Sequence, residues 1–148
     1  MKQEDLQVFV NEVIAYFKEV TGEPAKLEVP YQKGSESILL DYTGHIGISG
    51  DRKGGLYITC SESMLRDLTS IIMEGVEVET ETLIDMIGEI ANTIAGNVRT
   101  TFGKNFMISV PSIFTGRPDD FRIILKTPVI VLPISWKSHE AYLVLGID

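Results

Sequence analysis

The chain has 148 residues, of which 13 are basic and 21 acidic, giving a formal charge of −8 with a hydrophobic content of 44%. A chain of this length buries about 70% of the surface that its unfolded form exposes, which suits one domain over residues 1–148 and excludes disorder, and the single Cys60 excludes an internal disulfide framework and suits a reducing compartment. The acidic balance and the scattered Lys and Arg argue against nucleic acid as a partner, while the interrupted N-terminus MKQEDLQVFVNEV and short apolar runs such as Val129 to Leu132 argue against a secretory signal or membrane insertion, so a cytoplasmic protein is expected.

Leu6, Phe9, Val10, Val13, Ile14, Phe17 and Val20 recur at steps of three and four, with Gly22 and Pro24 just beyond, which predicts an amphipathic helix with a clear stop. From Lys26 to Cys60 the pattern changes to short β-branched and aromatic runs, including Ser37 to Tyr42 and Leu56 to Thr59, separated by glycines. Gly50-Asp-Arg-Lys-Gly-Gly55 supplies the backbone freedom of a hairpin turn. A second helix is expected through Met64, Leu65, Leu68, Ile71 and Ile72, capped by Ser63 and ended by Gly75. A third starts near Thr80 to Thr82, with Thr82 and Asp85 as a capping pair, and runs to Gly103. The remainder predicts strands at Phe106 to Val110, Phe121 to Leu125, Val129 to Trp136 and Ala141 to Ile147, punctuated by prolines and by Lys137-Ser-His-Glu140. The order α, several β, α, α, several β predicts an α+β domain with helices packed on a sheet.

The third helix carries the most chemistry. At about 100° per residue, Asp85, Glu89, Asn92, Gly96 and Arg99 fall on one stripe, and Ile87, Ile90, Ile94 and Val98 fall on the opposite side. Gly88 and Gly96 lie near the polar stripe in mid-helix, where each costs about 1 kcal/mol relative to Ala. Absent side chains there would let another surface approach Glu89 and Asn92.

The string Gly88-Glu-Ile-Ala-Asn-Thr-Ile-Ala-Gly96 resembles the Glu-x-x-Asn signature helix of the chemotaxis phosphatases CheX, CheC and FliY, and is most similar to CheX. The resemblance extends along nearly the whole chain, through the N-terminal helix, the glycine-rich strands around Gly47 to Gly50 and Gly54-Gly55, and the Ser-rich entry to the second helix. It implies a CheC/CheX-like fold with a largely antiparallel sheet, and hydrolysis of the aspartyl phosphate of a CheY-like response regulator. By position, Glu89 and Asn92 take the catalytic places of the motif. CheC-type relatives carry a second motif on the first helix, but the residues three beyond Glu4, Glu12 and Glu19 are Gln7, Ala15 and Gly22, so only one site is expected. No cofactor of its own is implied; Mg²⁺ is expected in the partner regulator. A homodimer paired through the sheets is also implied, with the apolar strand Pro128 to Pro133 as a surface in need of cover.

The residue chemistry agrees with these roles. An amide cannot act as a true base, but its oxygen accepts a hydrogen bond from water while its NH₂ donates to a phosphoryl oxygen, so Asn92 suits positioning of the attacking water. A carboxylate facing a phosphoryl group is repelled, which casts Glu89 as the partner of the regulator's Lys. The alternative is a non-catalytic regulator-binding or scaffold module using the same face. Cys60 and Arg66 have the Cys-x5-Arg spacing of cysteine phosphatases, but Glu62 would sit in the anion loop, no glycine shapes it and no His precedes it. His45 and His139 stand apart from any ligand cluster, and Trp136 reads as core or subunit interface.

Overall fold

In the computed structural model, which describes residues 1–118 and 125–148, the first helix α1 spans Gln3–Thr21 and buries Phe9, Val13, Tyr16 and Phe17. Gly22 ends it in the left-handed conformation (φ 82°), donating its N–H to the Lys18 carbonyl. Two short strands follow, β1 at Lys26–Leu27 and β2 at Tyr31–Gln32, and then the long hairpin of β3 (Tyr42–Gly50) and β4 (Gly54–Cys60). The reversal lies where the glycines placed it, with Gly50 at φ 92°. Helices α2 (Glu62–Ile72) and α3 (Thr80–Phe102) precede β5 (Phe106–Ile108), β6 (Ser112–Thr115), β7 (Ile130–Trp136) and β8 (His139–Ile147).

The eight strands form one antiparallel sheet in the order β1-β7-β8-β4-β3-β5, with β2 beside β7 and β6 beside β3. Alternation along each strand sorts the side chains to two faces. Ile46, Ile48, Leu56, Ile58, Leu143 and Leu145 pack with the three helices in the main core, whereas Tyr57, Val131 and Val144 lie on the other face under Leu39. The expected α+β architecture of helices on a largely antiparallel sheet is present.

Several local expectations change. Ser37 to Asp41 is not a strand; it crosses the outer face of the sheet, with Leu39 buried, the Leu40 N–H donating to Thr59 Oγ1 and Tyr57 Oη donating to the Ile38 carbonyl. Side-chain hydrogen bonds there replace a ladder. The cap of α2 is Ser61, whose Oγ accepts the Met64 N–H, and not Ser63; the helix ends at Ile72, ahead of Gly75, and leaves Ile71 and Ile72 exposed while Thr69 is buried. Thr82 is the third residue of α3 and accepts the N–H of the cap residue Glu79 through its hydroxyl, so Asp85 takes no part in the cap.

Strand β5 stops at Ile108, β6 had no separate signal in the sequence, and the turn between β7 and β8 is only Lys137-Ser138, with His139 and Glu140 inside β8. Most of the expected strand at Phe121 to Leu125 lies outside the described residues, and Leu125 itself is not in a strand. Pro133 sits within β7 opposite Tyr142. Its carbonyl accepts from Glu28 toward β1, so its missing N–H falls on that side, outside the β8 ladder. In the apolar run from Pro128 to Pro133, Val131 and Leu132 are fully buried within the chain, Val129, Ile130 and Pro133 are half-buried, and Pro128 is exposed. Among the described residues no helix is long and apolar enough to cross a membrane.

Candidate functional site

Helix α3 is seated on the sheet by the face that carries Leu83, Met86, Ile87, Ile90, Ala91, Ile94 and Val98, all buried. Asp85, Glu89, Asn92 and Arg99 are exposed on the opposite side, as the helical period required. The two mid-helix glycines divide in purpose. A Cβ on Gly88 would lie 3.0 Å from Ile113 Cδ1 and 3.6 Å from Pro111 Cγ, so Gly88 admits the segment entering β6 to the side of the helix. A Cβ on Gly96 would meet nothing within 4 Å.

This packing turns a helix face into one wall of a groove. Asp85, Glu89 and Asn92 line one side of an open depression of about 600 Å³, and Val110, Pro111 and Ile113 line the other. A smaller depression follows along the same stripe at Gly96, Arg99 and Met107. Arg99 is committed to its own chain: Nε donates to the Phe106 carbonyl (3.0 Å) and Nη2 to the Lys104 carbonyl (3.2 Å), holding the turn into β5. Among the described residues, the side chains of Glu89 and Asn92 have no hydrogen-bond or ion-pair partner. The structure therefore places both on one accessible face, one turn apart, with a carboxylate available to a cation and an amide available to both a donor and an acceptor. The wall formed by Val110 to Ile113 was not foreseen; the mid-helix Gly88 hinted at a close neighbour without identifying it.

The competing signals resolve into structural roles. Cys60 is fully buried at the end of β4, and burial pushes its thiol up to about 12, so no thiolate forms near neutral pH. Arg66 does not turn to Cys60; its Nε pairs with Glu62 (3.0 Å) and its Nη1 donates to the Val78 carbonyl. His139, expected to stand alone, meets Asp67 of α2 (Nε2 to Oδ2, 2.6 Å) and stacks on Trp136. Trp136 is core: it is buried against Phe17, and its Nε1 donates to Thr21 Oγ1. His45 is partly buried beside β6, and burial lowers its pKa. No group of three His, Cys, Asp or Glu among the described residues could hold a metal ion.

Residues 42–135, from the start of β3 into β7 and including the whole of α3, match the family described as chemotaxis phosphatase CheX. The chain belongs to the CheX family. Its fold is shared with the chemotaxis protein CheX of Vibrio vulnificus (TM-score 0.85, 23% identity, covering 98% of this chain and 99% of that one). A CheX from Desulfovibrio desulfuricans is similarly related (TM-score 0.86, 21% identity, 98% and 99% covered). So is a chain of the CheX-CheY-BeF3-Mg²⁺ complex from Borrelia burgdorferi (TM-score 0.76, 17% identity, 97% of each chain covered). No curated protein matches the sequence. In this CheX-family chain the Glu89 and Asn92 face lies on the longest helix, braced from below by the sheet and from one side by β6.

Proposed function

We propose that the chain is a single-domain phosphatase for the aspartyl phosphate of a CheY-like response regulator, with Asn92 positioning the hydrolytic water and Glu89 docking on the regulator's active-site Lys. The observation that carries this reading is the free, exposed pair Glu89 and Asn92 in the groove of a CheX-family fold. The similarity to a chain from a complex of CheX with CheY, BeF3 and Mg²⁺ supports CheY as the kind of partner, and in this reading the Mg²⁺ belongs to the regulator. With such a regulator as substrate, the proposed activity is a cytoplasmic one.

The reaction adds water to phosphorus and breaks the bond between phosphorus and the Asp carboxylate, releasing inorganic phosphate and the free carboxylate. The protein needs no nucleophile for this. Asn92 accepts a hydrogen bond from the water on its amide oxygen and donates from its NH₂ to a phosphoryl oxygen, aligning the attack, while the water's protons leave with the inorganic phosphate; orientation and charge stabilisation are the main sources of rate in phosphoryl transfer. Glu89 would pair with the Lys as a charge-assisted contact and bring α3 to the phosphate. Exposure of both side chains suits a substrate that is itself a protein, because the site is completed by the partner's surface.

The test is the decay of a phosphorylated CheY-like regulator with Mg²⁺, in the presence of wild type, Asn92→Ala and Glu89→Ala. Wild type should accelerate decay, Asn92→Ala should lose about 10²-fold or more at saturation, and Glu89→Ala should act mainly on KM. Binding without acceleration by wild type would make the chain a regulator-binding module and overturn the enzymatic reading. We also propose a homodimer paired through the sheets, which sedimentation at low concentration tests; a monomer would refute it.

A further inference from the structure

The wall of the groove facing Glu89 and Asn92 ends in Val110, which is 82% exposed. A single exposed valine is ordinary on a protein surface, but the backbone around this one is pinned on both sides. Before it, the Ser109 N–H donates to the Gly47 carbonyl (2.9 Å), Ser109 Oγ accepts the Gly47 N–H (2.8 Å), and Ser109 Oγ also donates to the carbonyl of Val110 itself (2.9 Å). After it, Pro111 lies beside Gly88 of α3. The side chain is thus held outward at the rim of the site, with Met107 (55% exposed) next along the same side. Across the groove Asp85 and Glu89 are two carboxylates one helical turn apart. One wall is aliphatic, and the other carries these two carboxylates together with Ile84 and Asn92.

We propose that Val110 is a specificity-determining contact for the phosphorylated receiver domain: it seats on an aliphatic patch beside the phosphorylated Asp while Asp85 and Glu89 face the basic side of the same surface. The inference rests on the reading of Glu89 and Asn92 as the phosphatase site, and adds the feature that selects the partner. The occupant follows from charge and continuity. A partner whose cation is engaged by Glu89 brings its surface onto this rim, and a pre-positioned aliphatic side chain contributes to binding without loss of loop entropy. Val110 touches no reacting atom, so its contribution falls on binding and not on the chemical step.

The experiment compares Val110→Ala and Val110→Asp with wild type and with Val29→Asp, a control at an equally exposed valine near the far edge of the sheet. The host's CheY-like regulators are used phosphorylated for kinetics and loaded with beryllofluoride and Mg²⁺ for calorimetry. KM should rise about fivefold for Val110→Ala and more than about tenfold for Val110→Asp, with kcat within about twofold, thermal stability unchanged and the Val29 control silent. An unchanged KM in Val110→Asp overturns the proposal, as does an equal effect of Val29→Asp. Calorimetry separates the two readings. Binding by wild type without hydrolysis, weakened in Val110→Asp, refutes the catalytic reading and upholds the rim; no binding to any loaded regulator refutes the rim as well.

Discussion

Gly44 of β3 lies directly beneath Ile87 of α3, and a Cβ on Gly44 would stand 2.8 Å from the Ile87 carbonyl oxygen and 3.1 Å from Ala91 Cβ. This close approach of helix and sheet sets the height of α3 over the sheet. Glu89 and Asn92 flank that contact on the outward side of the same two turns, so the position of the candidate site depends on a side chain that is absent from a strand.

Gly44→Ala should therefore destabilise the protein by about 1–3 kcal/mol, because the obstacle is helix backbone and cannot rotate away. Urea unfolding would show a lower midpoint with an unchanged slope. A neutral result would mean that the helix can ride higher without loss of packing.

Gly96→Ala should do the opposite. Its Cβ would meet no neighbour, so replacing a mid-helix glycine should raise stability by about 1 kcal/mol. A melting temperature that stays the same or falls would contradict this.

The role of Glu89 can be read from salt. If it pairs with a Lys on the regulator, wild-type KM should rise with ionic strength, while Glu89→Gln should start high and respond less. Parallel salt curves for the two proteins would exclude a charge contact at this position.

Cys60 should be inert in the folded protein. Its buried thiol, pushed up to about 12, stays protonated at pH 8, so alkylation followed by mass spectrometry should detect modification only under unfolding conditions, and Cys60→Ala should keep turnover within about twofold. Rapid labelling accompanied by loss of turnover would restore a thiol mechanism.

Burial holds the His45 imidazole below its ordinary value of 6.5, and its Nε2 has no hydrogen-bond partner among the described residues. Between the folded and unfolded values the unfolded chain binds more protons, so stability rises with pH there, and the contribution from a neutral His45 is lost as pH falls below the ordinary value of 6.5 toward the lower folded value. His45→Phe should flatten that part of the urea-midpoint profile relative to wild type. An identical profile would assign the pH dependence to other groups.

The polar stripe of α3 and its buried opposite face were legible in the sequence because a helical period is a local property: the side-chain directions of Asp85, Glu89 and Asn92 follow from their spacing alone. The hairpin between β3 and β4 was visible for the same kind of reason, through strand patterning and turn glycines. The groove was not. Val110, Pro111 and Ile113 reach the site only because β6 pairs with the first half of β3 while α3 crosses that same strand at Gly44, and strand pairing is a choice among distant segments that no local pattern encodes. The same limit explains His139, whose partner Asp67 lies 72 positions away. The sequence alone determined which residues share the polar face of α3; the tertiary structure decided what stands opposite them, because walls of a groove are set by long-range packing and not by the residues that line one side of it.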